Sequence, residues 1–243
     1  MQPKIYTVAL KSKKEVALDT VEFSFERPEG FIFEPGQHVE ILLINLPETD
    51  TSGNKRDFSL VNSPDEPDLV IVARIRDTAF KKVLNSLMEG QKVTLRGPLG
   101  SSFHMHVDTT RPAVFIAGGI GISPFMSMIR FVLHDKLSYQ MYLFYSNRRP
   151  EDTVYHAELA GYALSSPQFK YIPTMTNMKQ STEKWSGEEG RISKEMIEKY
   201  VDGIEISVFY IAGHTPMVVG VDQLLHDMGV SRDAVRTEEF TGY

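Results

Sequence analysis

Residues 113–124 read Ala113-Val114-Phe115-Ile116-Ala117-Gly118-Gly119-Ile120-Gly121-Ile122-Ser123-Pro124. A short, continuous apolar run bounded by glycine is the pattern of a strand buried on both faces. Ser123 suits a helix cap and Pro124 the first helical position, where a missing N–H costs nothing. A strand therefore passes into a helix through Gly118–Gly121. Glycines there have two uses. They make a tight turn, or they let the backbone approach a pyrophosphate, with unpaired N–H groups and the positive end of the helix dipole aimed at it. The strand before and the helix after are the context that the second use requires. The spacing Gly119-x-Gly121-x-x-Pro124 departs from the dehydrogenase fingerprint, which wants its third glycine where Pro124 stands.

Downstream of this turn, strands alternate with helices. The helix from Pro124 to about Leu133 is followed by a strand at Met141–Tyr145, a helix at Thr153–Leu164 and a strand at Phe169–Pro173. A helix at Lys194–Tyr200, a strand at Ile206–Ala212, a helix at Pro216–Met228 and a strand at Val235–Phe240 complete the series. The pattern predicts a doubly wound α/β domain around a parallel sheet. The stretch from Asn177 to Gly190, with the only tryptophan, Trp185, reads as a surface loop.

Upstream the period is two. Ile5–Leu10, Val21–Phe25, Val39–Ile44, Leu69–Ile75 and Val93–Arg96 read as strands separated by turns such as Pro28-Glu29-Gly30 and Glu34-Pro35-Gly36. One helix, about Ala79 to Met88, interrupts them and is closed by Gly90. This predicts a small antiparallel β-barrel. The boundary falls near Arg111-Pro112, giving a barrel domain over residues 1–108 and an α/β domain over 109–243.

The chain of 243 residues, 42% hydrophobic and 24% charged, has the composition of a globular protein with room for two cores. Its formal net charge of −6 argues against a broad nucleic-acid surface. Cysteine is absent, which removes disulfides, thiolate nucleophiles and cysteine-held metal or iron–sulfur centres from this chain. No segment approaches the ~20 apolar residues that a spanning helix needs, nor does Met1–Thr20 resemble a signal peptide. Membrane insertion is not expected, and cytoplasmic residence is. His104-x-His106 would place two imidazoles on one strand face, but no third ligand is evident and no metal is expected.

Four motifs in order carry a resemblance. Arg56-Asp57-Phe58-Ser59 resembles the Arg-x-Tyr/Phe-Ser flavin motif of the ferredoxin–NADP reductase superfamily. Gly97-Pro98-Leu99-Gly100 is similar to its Gly-Pro-x-Gly turn at the end of the barrel, and Gly118–Pro124 to its nicotinamide-nucleotide motif. Ala212-Gly213-His214-Thr215-Pro216-Met217 resembles its late Cys-Gly-x-Pro-x-Met segment, with alanine in place of cysteine.

The resemblance implies an amino-terminal FAD-binding barrel and a carboxy-terminal NAD(P)-binding domain, with the reaction at their cleft. It implies that Arg56 pairs with the FAD pyrophosphate, that Phe58 lies against the flavin ring, and that Ser59 sits at the flavin N5 and O4. Arg56 alone would read as a solvated surface arginine. Arg74, Ile75 and the backbone N–H groups near Phe80, Lys81 and Lys82 fall where the family holds the flavin phosphates. Glu239 resembles a family acid near the flavin, with Glu238 leaving the register open, and Phe240 or Tyr243 is the candidate to cover the flavin face.

The nucleotide would lie on Gly119, Ile120, Gly121, Ile122 and Ser123, with Gly213 allowing close approach of the nicotinamide. Ser146, Arg148 and Arg149 stand where a 2′-phosphate is sorted from a hydroxyl, and their composition leans towards NADPH over NADH. Met217 reads as helix packing. Ser59 and Glu239 are the residues placed at the reacting atoms. The implied activity is an NAD(P)H-dependent flavoprotein reductase that hands electrons to a separate redox protein, such as a ferredoxin or a haem protein. The alternatives are reduction of small molecules (free flavin, ferric chelates, quinones) and an electron-transfer subunit of a larger complex.

Overall fold

A computed structural model describes residues 2–43 and 53–240. The chain divides into two compact units. The first is Met1–His104 with Ser123–Phe131, and the second is Met105–Ile122 with Val132–Tyr243.

The first unit holds β1 (Lys4–Ala17), β2 (Thr20–Glu26), β3 (His38–Leu42), β4 (Lys55–Ser59), β5 (Asp68–Arg74) and β6 (Lys92–Leu99). They form one antiparallel sheet in the order β4-β3-β6-β1-β2-β5. Its edges meet: Leu60 bridges Ile71, and the Val61 N–H donates to Val70 O at 3.0 Å. The sheet thus closes on itself, which removes the exposed edges that an open antiparallel sheet leaves. Alternating side chains fill the interior, among them Phe23, Phe25, Val39, Ile41, Ile71 and Leu95, all fully buried.

The helix α1 (Ala79–Ser86) begins at Thr78, whose hydroxyl accepts from the Lys81 N–H, and it sends Phe80 and Leu84 into that core. Residues 123–131 of α2 (Ile122–His134) also belong to this unit. There Ser127 Oγ donates to Asn62 O at 2.7 Å and Arg130 Nη1 to Val61 O at 2.9 Å, meeting carbonyls beside the sheet closure.

The second unit holds β7 (Ala113–Gly118), β8 (Met141–Asn147), β9 (Phe169–Met175), β10 (Glu188–Glu189), β11 (Val208–His214) and β12 (Val235–Phe240). All pairs are parallel, in the order β10-β9-β8-β7-β11-β12. Every residue of Ala113–Ala117 is fully buried, as the apolar run requires for a central strand covered on both faces. The helices α3 (His156–Ser165), α4 (Lys194–Tyr200) and α5 (Thr215–Asp227) complete the alternation. The expected antiparallel barrel and doubly wound parallel sheet are both present. No helix among the described residues is long and apolar enough to cross a membrane.

Several local expectations need correction. A turn of 3-10 helix, Gly119–Gly121, runs straight into α2, so the helical N-terminus lies upstream of Ser123 and begins after Gly118. Ser123 and Pro124 are already inside the helix. Gly97, Pro98 and Leu99 are not a turn; they are the last residues of β6, with Gly97 opposite Lys4 and Leu99 opposite His38. The Arg56 motif, not among the expected strands, is itself strand β4. The expected loop after Asn177 carries β10, held to Met175 by the Gly190 N–H at 2.9 Å. The strand expected from Ile206 starts at Val208, because Ile204–Ile206 is a 3-10 turn. Of the expected strand Val39–Ile44, Ile44 lies outside the described residues.

Candidate functional site

In the first unit, β4 and the start of α1 bring two cations onto two aromatic rings. Phe58 and Phe80 stack with centroids 6.1 Å apart. The Arg56 guanidinium lies 5.0 Å from the Phe80 ring centre, and the Lys81 ammonium 4.6 Å from that of Phe58. Arg56 Nη1 also donates to the carbonyls of Gly53 and Lys55, at 3.0 and 2.7 Å, which fixes the guanidinium plane. Burial first, and then the like charge of Arg56, push the Lys81 ammonium down to about 8. A desolvated ammonium held beside a second positive charge favours a polyanion between or beside them.

The sequence placed this contact on backbone N–H groups. Those of Lys81 and Lys82 are committed inside the helix cap, to Thr78 Oγ1 at 3.3 Å and Thr78 O at 3.0 Å. Of the three expected N–H groups, these two are engaged within the helix, while the Lys81 side chain adds a charge at the same turn. Arg74 and Ile75 lie half-buried at the end of β5, and the Ile75 N–H donates to Asp19 O at 2.7 Å.

Ser59 is 3% exposed and stands opposite His38 across β3 and β4. The His38 imidazole, which sequence reading missed, is pushed below its ordinary range by burial, against the raising charges of Asp57 and Glu40. Its signal was the register alone. A histidine that follows the Glu34-Pro35-Gly36 turn gains a serine neighbour only when β3 pairs with β4.

In the second unit, the glycines of the turn have separate reasons. A Cβ on Gly121 would come 2.3 Å from the carbonyl oxygen of Ala212, so only glycine lets the turn rest on β11. A Cβ on Gly118 would meet the Met217 sulfur at 2.3 Å, and one on Gly213 would meet the same sulfur at 2.8 Å. Gly119 alone has positive φ, +52°, with open space where a side chain would be. Tyr145 Oη donates to Gly119 O at 3.0 Å and so anchors the open side of the turn. Ile122 and Ser123 are buried in the first turn of α2.

At the carboxyl end of β8, Ser146 pairs in register with Gly118. Arg148 is exposed. Arg149 is engaged on all three nitrogens: Nε and Nη2 donate to the two oxygens of Asp152 at 3.0 and 3.1 Å, and Nη1 to Gln180 O at 3.3 Å. On β12, residues alternate, so that Glu239 is exposed while Glu238 and Phe240 are half-buried. The Glu238 Oε2 is shielded from solvent, which favours Glu238 over Glu239 as the inward acid. Tyr243 lies outside the described residues. His214 caps α5, its Nδ1 accepting from the Met217 N–H at 3.1 Å. Both ring nitrogens of His106 are hydrogen-bonded, Nδ1 with Tyr210 Oη and Nε2 with Arg111 O, each at 2.9 Å.

Residues 115–223 match the family model described as oxidoreductase NAD-binding domain. Ferredoxin–NADP reductase B of Sorangium cellulosum is 31% identical over 90% of this chain and 91% of its own length. The glycine betaine monooxygenase reductase subunit of Chromohalobacter salexigens is 28% identical over 90% of this chain. The match covers 59% of that relative, so this chain spans about three fifths of its length. Among solved structures, an Amycolatopsis cytochrome P450 reductase, GcoB, superposes with a TM-score of 0.83 at 24% identity, over 99% of this chain and 71% of its own.

Proposed function

The chain belongs to the ferredoxin–NADP reductase superfamily, and on that premise we propose that it is an NAD(P)H-dependent flavoenzyme that passes electrons to a separate protein acceptor, a ferredoxin or a haem protein. The observation that carries this reading is the pair Arg56 and Lys81 on the Phe58–Phe80 stack. Its donor set fits the diphosphate of FAD, a polyanion for the two cations, which the buried rings of Phe58 and Phe80 hold in place. FAD supplies, when bound, an acceptor for a hydride and a donor of single electrons.

This chain's residues do the rest. Arg56, with its plane fixed by two carbonyls, holds the diphosphate. Lys81 adds a second charge whose desolvation makes it selective for an anion. Ser59 and His38 provide a hydroxyl and a neighbouring imidazole that can hold a proton beside the ring. Gly119 and the first turn of α2 present backbone N–H groups to the pyrophosphate of the nicotinamide nucleotide. Glu238 holds an acid at the end of β12, and Phe240 stands two residues on along the same face. We assign residues 1–108 to the flavin-holding part and 109–243 to the nucleotide-holding part, and the protein to the cytoplasm, where its electron donor is made.

The test is spectroscopic. Purified protein should be yellow, and anaerobic addition of NADH or NADPH should bleach it; reoxidation by a ferredoxin should outpace reoxidation by free flavin or a ferric chelate. Protein that retains no flavin after reconstitution, or flavin that neither nucleotide bleaches, would sink the reading. Faster turnover with the small acceptors would replace the protein acceptor with a small molecule.

A further inference from the structure

Lys81 is the third residue of α1 and lies half-buried, its ammonium 4.6 Å from the centre of the Phe58 ring. It meets no carboxylate among the described residues. The lysines around it do. Lys82 pairs with Asp77 at 2.5 Å, and Lys55 with Glu40 at 2.8 Å. Alternation along β4 puts Arg56 and Phe58 on one face and Asp57 on the other. The first turn of α1 holds no acidic residue, and its dipole turns a positive end towards the amine. The Arg56 charge and the helix end therefore both disfavour the protonated form of Lys81.

A salt bridge keeps an amine protonated and inert. Lys81 lacks that protection and is brought down to about 8, so a sizeable minority of it is free amine near neutral pH. A free lysine amine is a nucleophile towards carbonyl carbon. Arg56 supplies an anion dock beside it, with its guanidinium plane fixed by the Gly53 and Lys55 carbonyls. Both side chains lie on one stack of rings, whose centres are 6.1 Å apart. The reagent that suits this pair carries an electrophilic carbonyl next to a phosphate, which is the chemistry of an acyl phosphate.

We propose that Lys81 is a site of N-acylation by small acyl phosphates in the flavin-free chain, that Arg56 holds their phosphate, and that the modification lowers the affinity for FAD. The last part rests on the reading that this place holds the FAD diphosphate. In the step, the amine lone pair forms an N–C bond to the acyl carbon. The C–O bond to the phosphate breaks, its electron pair leaves on inorganic phosphate, and the amine proton passes to water. The product is a neutral amide, so one of the two charges is lost and an acyl group stands in its place. Bound FAD covers the same amine. Flavin and acylation therefore exclude each other.

The test incubates the full chain, loaded with FAD or stripped of it, with acetyl phosphate and reads each lysine by peptide mass spectrometry. In the stripped wild type, Lys81 should be acetylated at least about tenfold faster than the ion-paired Lys11, Lys14 and Lys199. FAD at about ten times its Kd should slow that labelling about tenfold. Arg56→Ala should slow labelling by acetyl phosphate about tenfold, and labelling by an uncharged acetyl ester by less than about threefold. Treated wild type should bind FAD about tenfold more weakly than untreated, whereas treatment should not change the affinity of Lys81→Arg. Labelling of Lys81 at the pace of the paired lysines, equally fast labelling by acetyl-CoA, or labelling by acetyl phosphate unmoved by Arg56→Ala would overturn the inference. So would an equal loss of affinity on treatment of Lys81→Arg. FAD that binds and leaves Lys81 labelling unslowed overturns it while the reductase reading stands. A chain that retains no FAD removes the reductase reading, and this inference with it.

Discussion

Two candidate anion sites among the described residues are built from opposite materials. The turn at Gly118–Gly121 is made of backbone, with small residues demanded by neighbours and N–H groups at a helix start. The place at Arg56 and Lys81 is made of side chains, two cations laid on two rings. The first is local: a dozen consecutive residues contain it. The second joins residues 25 positions apart, on β4 and α1. A dipole-and-backbone site is tolerant of chemistry and intolerant of volume. A cation–aromatic site is the reverse, and substitutions should separate them.

The largest effect is expected from volume at the turn. Gly121→Ala drives a Cβ into the Ala212 carbonyl, and backbone cannot rotate away as a side chain can. A loss of about 3 kcal/mol in folding stability is expected, read as a lower urea midpoint; an unchanged midpoint would mean that turn and strand are not in contact. Arg56→Ala should leave folding nearly intact and weaken FAD about thirtyfold, the worth of a charge-assisted contact. Flavin retention through a desalting column, followed by fluorescence titration, measures it.

Lys81→Met should weaken FAD about tenfold. It should also remove a pH dependence. With the ammonium pushed down to about 8, the free protein loses this charge as pH rises through that value, so FAD affinity should fall across it. Lysine-to-methionine substitution should flatten the curve, and an equally steep curve in the variant would assign the titration elsewhere. The smallest effect is at Gly118. There the clash is with the Met217 sulfur, the far part of a flexible side chain, so Gly118→Ala should cost about 1 kcal/mol. Thermal unfolding should rank the two alanine variants in that order, and a reversal would show that Met217 is as immovable as the backbone.

Legibility followed the same division. The alternation after Pro112, the buried strand Ala113–Ala117 and the period-two strands before it could be read because a strand or helix announces itself by spacing within a few residues. β4 was missed as a strand because Lys55, Arg56 and Asp57 give it charge where periodicity needs apolar residues, and it sits at a sheet edge beside the closure at Leu60 and Ile71. Arg149 read as a free cation, since its partner Asp152 is only three residues on but faces it through a 3-10 turn that spacing does not reveal. The glycines of the turn read alike in sequence, yet two of them answer to packing against Ala212 and Met217 and one to its backbone conformation.

The sequence by itself determined the architecture, the order of the two halves and the motifs that place the chain in its superfamily, because these depend on local periodicity and on residues adjacent along the chain. Only the tertiary structure decided which cation is desolvated beside another and which arginine is already neutralised. Those are properties of dielectric and of partners brought from distant segments, and the energy of a charge or a hydrogen bond is set by what surrounds it, not by what precedes it.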